Sequence, residues 1–196
     1  MADGAAGGVI AGIIDEVLPP GITETIAVTL SADGVPNAAP MGVVRQAERL
    51  FIRMFPGSRT YRNVAETGRL VACIVADPVV FVASAFGDLE DDDFVPQKDM
   101  PPLIKGSYAY VDCRAEMDGV VRLTPLKCEV LARKVPAYSR GFAAVIDAAV
   151  AGTRLRFLGE EGKKRIREDA ALARKCGTPR DIEAMNKLLK ILDLQG

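Results

Sequence analysis

The stretch Arg53-Met-Phe-Pro-Gly-Ser-Arg-Thr-Tyr-Arg-Asn63 gathers more chemistry than any other part of this chain. From Pro56 onward it places a glycine, two hydroxyls, two arginines and a phenol at a strand-to-helix junction, just after Arg53. A helix start presents backbone amides that have no partner in the helix, and these are directed at whatever lies ahead of the first turn. Ser58 and Thr60 add hydroxyl donors, Gly57 allows close backbone approach, and Arg59 or Arg62 can neutralise a phosphate dianion. Tyr61 and Asn63 lie within the same turn. The same residues also describe a capped turn with solvated arginines, because Gly, Ser and Thr recur freely in turns. Residue chemistry leaves both readings open. A second stretch, Gly34-Val-Pro-Asn-Ala-Ala-Pro-Met-Gly42, has small side chains beside prolines, room for a flat ring, and in Asn37 both a donor and an acceptor. Close strand packing accounts for its small residues equally well.

What the chain lacks narrows the chemistry. It contains no histidine, and its four cysteines, Cys73, Cys113, Cys128 and Cys176, are widely spaced, so no zinc-type grouping and no metal site is expected. Ser-His-Asp and Cys-His nucleophiles are absent for the same reason. An enzyme built this way would leave the chemistry to a cofactor, and no catalytic side chain is identified. The acidic run Gly87-Asp-Leu-Glu-Asp-Asp-Asp93 lacks the turn glycine and distal glutamate of a calcium loop and reads as a solvated loop tip. A formal net charge of -1 supplies no field for a polyanion, so nucleic acid is not an expected partner. The first residues lack a basic leader, and the next apolar stretch is interrupted by Asp15 and Glu16 and stops at Pro19-Pro20. A cytoplasmic protein with reduced thiols and no membrane association is expected.

The elements around these stretches read as a β-barrel followed by helices. Thr23–Leu30 is rich in β-branched residues and ends in Ser-Ala-Asp-Gly, a hairpin signal. The return strand, Val35–Val44, carries Pro36 and Pro40 and so belongs at an edge or a bulge. Leu50–Phe55 is a third strand. Ser58 or Thr60 caps a short helix that stops at Gly68. Leu70–Ala76 is an apolar strand ended by Asp77-Pro78, and an apolar run from Val79 to Phe86 leads to the acidic loop. Tyr108–Cys113 and Val120–Val135 flank an Asp118-Gly119 turn and close the barrel. Beyond Pro136, Phe142, Val145, Ile146, Ala149 and Val150 recur at helical spacing. Glu160–Cys176 is a second helix, and Thr178-Pro179 opens a third that carries Met185, Leu188 and Leu189. Residues 1–136 are thus expected to form the barrel and 137–196 a helical subdomain packed on it. The first eight residues read as a frayed end.

Three segments in this order, Asp33–Gly42, Phe51–Val64 and Ala76–Phe81, resemble an uncharacterised FMN-binding split-barrel family first met in archaea. The resemblance continues through Asp112-Cys113, Glu129-Val130 and Ala151–Leu155. It implies the fold of the flavin reductase and pyridoxamine phosphate oxidase superfamily, a six-stranded barrel with Greek-key elements that forms a homodimer and binds FMN at the subunit interface. Carried over by residue, it implies an FMN phosphate against Gly57, Ser58, Arg59 and Thr60, with Arg53 below and Tyr61 and Asn63 nearby. The isoalloxazine would lie along Asn37 to Met41. Gly152 stands where the family commonly has a histidine before the Thr-Arg pair. The implied activity is that of a flavin-dependent oxidoreductase on a small substrate, a nicotinamide, a deazaflavin or a pterin, and the alternative is a non-catalytic flavin-binding protein.

Overall fold

In the computed structural model, residues 11–133 and 139–195 are described. They gather into two compact units, 11–76 with 89–133 and 77–88 with 139–195. The expected frayed start and the expected boundary at Pro136 fall outside the described residues.

The first unit is a six-stranded closed antiparallel barrel in the order β1-β2-β3-β8-β7-β4. Its strands are β1 (Gly21–Leu30), β2 (Pro36–Gln46), β3 (Arg49–Ile52), β4 (Arg69–Ile74), β7 (Ala109–Asp118) and β8 (Val120–Val130). Side chains alternate across each strand, and one set, including Val43, Leu50, Ile52, Leu70, Ala72, Val111, Cys113 and Leu123, forms the barrel core. Thr25, Ala27 and Thr29 on β1 are fully buried. β2 pairs with β1 along its length but with β3 only from Val43 to Gln46, so Pro36 and Pro40 sit where β2 has a strand on one side. That half-open position tolerates residues with no N–H. Pro125 is accommodated differently: the β7–β8 register shifts between Asp112 and Cys113, and Pro125 lies at the shift.

Strand ends differ modestly from the sequence reading. β3 stops at Ile52, three residues early, β4 starts at Arg69, and β7 runs on to Asp118. Residues 11–17 form a helix, α1, whose Ile14 joins Leu18, just beyond it, in the barrel core. Arg45 ties this segment down, donating to the Leu18 carbonyl (3.1 Å) and pairing with Asp15. The acidic run is a single 3-10 turn, Asp91–Asp93, leading into a small hairpin of β5 (Phe94–Val95) and β6 (Leu103–Ile104).

The second unit is helical: α3 (Pro78–Phe86), α4 (Arg140–Thr153), α5 (Leu155–Cys176) and α6 (Pro179–Ile191). α3 is the apolar run after Asp77-Pro78. Asp77 caps it by accepting from the Val79 amide (2.9 Å), and Pro78 takes the first helical position. Arg180 on α6 holds the Asp77 carboxylate through two nitrogens, at 2.8 and 3.1 Å. α6 opens with the reciprocal Thr178–Asp181 capping box. Phe81, Val145, Ile166, Ala170, Met185 and Leu188 are core residues of this unit. A Cβ on Gly141 would lie 2.2 Å from the Gly177 Cα, so the start of α4 meets the α5–α6 link at a distance only glycines allow. Gly152 is also tight, since a Cβ there would meet Phe86 and Leu192 atoms at 2.9 Å.

Candidate functional site

Gly57 adopts φ +84°, a left-handed conformation that L side chains rarely take, and this turns the chain from β3 into α2 (Arg59–Thr67). Ser58 is the helix cap: its Oγ accepts from the Tyr61 amide (3.1 Å) and its carbonyl from the Arg62 amide (3.1 Å). The helical ladder therefore begins at Arg62, and the amides of Arg59 and Thr60 lie ahead of it. Arg62 Nη1 reaches back to the Gly57 carbonyl at 2.8 Å, bracing the turn.

Two buried hydrogen bonds anchor this turn to the β1–β2 hairpin. Asn37 Nδ2 donates to Thr60 Oγ1 (3.0 Å), and Asn63 Nδ2 donates to Thr29 Oγ1 (3.0 Å). Thr29 and Asn37 face each other across β1 and β2, so both bonds reach one rung of the sheet. A hydroxyl has one hydrogen to donate and room to accept. With Ser58 accepting from an amide and Thr60 from Asn37, each hydroxyl keeps a hydrogen whose direction is constrained by the bond already made.

The residues singled out in the sequence occupy different places. Gly57, Ser58, Arg59, Thr60, Tyr61 and Asn63 come together at the head of α2, and Asn37 joins them from β2. Asn37, Thr60 and Asn63 are buried, whereas Arg53, Gly57 and Arg59 are exposed and Ser58 and Tyr61 are partly exposed. Arg53 is one residue past the end of β3. Met41 is half-buried against the barrel core, and its carbonyl accepts from the Thr25 hydroxyl (2.9 Å). Thr29 is the partner that sequence reasoning missed; its signal is its place opposite Asn37 in a hairpin with a recognisable turn. Beside α2 an open groove of about 500 Å³ is lined by Ser31, Asp33, Arg59, Arg62, Asn63 and Glu66.

The cysteines take no part in this arrangement. Burial pushes Cys73 up to about 11, and burial together with the Asp112 charge raises Cys113, so neither is a thiolate near neutral pH. Among the described residues, no three His, Cys, Asp or Glu side chains are grouped to hold a metal ion, and no helix is long and apolar enough to cross a membrane.

Comparison with known proteins bears on the family and the fold. Residues 23–137 match the family described as protein of unknown function (DUF447), N-terminal domain, and residues 139–190 match its second part. An uncharacterized protein of Methanocaldococcus jannaschii is 27% identical over 191 residues, spanning 86% of this chain and 97% of that protein. The crystal structure of an FMN-bound protein of Methanosarcina mazei from the same family is 34% identical, spans 91% of this chain and 99% of that one, and superposes with a TM-score of 0.82. A nitrilotriacetate monooxygenase component B from Mycobacterium thermoresistibile is a more distant likeness, at 22% identity over 67% of this chain and 82% of that one, with a TM-score of 0.48.

Proposed function

The chain belongs to the DUF447 family, and we propose that it binds FMN at the head of α2 and serves as a flavin-dependent oxidoreductase on a small substrate. The observation that carries the reading is the Gly57–Asn63 turn. There, first-turn amides and the Ser58 and Thr60 hydroxyls stand in the same helical turn as the exposed Arg59, and these are the donor types that a phosphate dianion needs. The FMN-bound protein of Methanosarcina mazei, similar over nearly its whole length, supports the identity of the ligand.

In this reading Ser58 and the Arg59 and Thr60 amides hold the phosphate, and Arg59 with Arg53 supplies the charge. Asn37, Thr60 and Asn63 keep the turn in place through their buried bonds. From Pro36 to Gly42 one side of β2 faces no strand, which leaves backbone groups for the polar edge of an isoalloxazine lying toward Met41. Bound flavin supplies the electron chemistry, so the chain's own work is to bind and orient. A homodimer with the flavin at the subunit interface and a nicotinamide, deazaflavin or pterin as the second substrate belong to the same proposal, as does a cytoplasmic location.

Two measurements test it. The purified protein should be yellow, and it should retain FMN far better than riboflavin, which lacks the phosphate; equal retention of the two would remove the phosphate from the argument. Titration with NADH or NADPH should bleach the bound flavin. A bound flavin that no nicotinamide, reduced deazaflavin or reduced pterin bleaches would instead identify a non-catalytic flavin-binding protein.

A further inference from the structure

A second cavity in the barrel unit, of about 240 Å³, has no role in the reading above. Leu103, Ile104 and the Tyr110 ring form its deep, nearly water-free side, and Val95 and Leu131, both about half exposed, form its walls. Its rim carries Lys127 and Glu129.

The cavity is built on rigid parts. Tyr110 on β7 faces Glu129 on β8 in register, and Lys127 lies two residues away on the same side of β8. The Tyr110 hydroxyl donates to Glu129 Oε2 at 3.0 Å, and Lys127 Nζ sits 4.0 Å from that same oxygen and 5.6 Å from the centre of the Tyr110 ring. Burial raises the phenol, so it stays a neutral donor. The β5–β6 hairpin that closes the far side is pinned by the Lys105 amide on the Asp93 carbonyl (2.8 Å) and the Ser107 hydroxyl on the Ile104 carbonyl (2.6 Å).

Two features select the ligand. The volume is below the 300–1,000 Å³ typical of sites for drug-sized molecules, which limits the occupant to roughly one ring. The rim presents one cation and one carboxylate side by side. An anion placed there meets Glu129, and a cation meets Lys127, so a charged ligand faces a like charge close by. A neutral group with an acceptor next to a donor satisfies both at once: its C=O accepts from the Lys127 ammonium while its N–H donates to the Glu129 carboxylate. We propose that this cavity is a second binding site, for a small neutral ring compound carrying a primary amide or lactam edge. The inference does not depend on the flavin reading.

The test uses three ring compounds of nearly one shape, benzamide, benzoate and benzylamine, titrated into the FMN-loaded protein and followed through the backbone amide signals of Ser107, Lys127 and Leu131. Benzamide should shift them saturably, with a Kd at least tenfold below those of the other two. Glu129→Gln removes the carboxylate beside Lys127 on the rim and should move the preference to benzoate by about tenfold, and Lys127→Met should move it toward benzylamine, both with FMN retention unchanged. The proposal fails if no compound gives saturable shifts, if benzoate or benzylamine binds the native protein best, or if neither substitution alters the order. A loss of FMN retention in native protein would count against the flavin reading alone.

Discussion

The head of α2 and the Tyr110 cavity are both polar places on one barrel, but they spend their polar groups differently. At α2 the neutral side chains are consumed in holding one another: Asn37 on Thr60, Asn63 on Thr29, the Tyr61 amide on Ser58. In the proposed reading, the first-turn amides and hydroxyl hydrogens are what a ligand meets there, which suits an anion. At the cavity the charges are arranged against each other, Glu129 taking the Tyr110 hydroxyl and lying beside Lys127, so an excess of either sign is unwelcome there. One barrel can thus carry two kinds of selectivity, and what separates them is which groups are left after the internal bonds are made.

The most damaging way to break the comparison is to empty the buried network. Asn63→Leu leaves the Thr29 hydroxyl buried without its donor and should cost about 1–3 kcal/mol, read as a lower denaturation midpoint, with FMN retention falling alongside. An unchanged midpoint would mean the network does not hold α2. Ser58→Ala removes the helix cap and should cost about 1 kcal/mol. Here the flavin should also be lost more readily, whereas Ser58→Asn, which still caps, should restore stability while leaving flavin retention impaired.

Alkali should act on the cavity's side of the barrel. Cys73 lies beneath the hairpin, its sulfur accepting from the Ile104 amide at 3.5 Å, and its folded value of about 11 exceeds the ordinary 9.0. The folded state therefore holds this proton more tightly than the unfolded chain does. Its contribution is complete below about pH 9 and is lost as the pH rises through about 11. Denaturation midpoints should fall over that window, and Cys73→Ala should flatten the fall; a slope identical in both proteins would sink this assignment. The smallest effect belongs to Lys127→Met, where an exposed and weakly paired cation is removed. The denaturation midpoint should stay where it is in the native protein, confining this residue's role to what the cavity accepts.

Much of the barrel was legible because β-branched alternation and turn glycines act locally. The hairpin at Ser31–Gly34, the Asp118-Gly119 turn and the prolines' demand for a half-open strand are all decided by residues near one another. The same holds for the capped turn at Ser58 and for Thr178-Pro179. α3 was harder to read, since Val79–Phe86 is apolar but for Ser84 and fits a strand or a buried helix alike; its decisive signal is the Asp77 cap with Pro78 at the first helical position. Ile14 and Leu18 gave no sign of belonging to the barrel core, because a core is filled by residues distant in the chain.

By itself the sequence determined the chemistry available at residues 53–63 and the order of strands and helices, for those depend on side-chain type and short-range spacing. Only the tertiary structure decided that Asn37 and Asn63 serve the turn from within, and that Tyr110, Lys127 and Glu129 share one cavity. Those outcomes depend on strand register, which brings together residues far apart in the chain, and on burial, which makes an unpaired polar group too costly to leave alone.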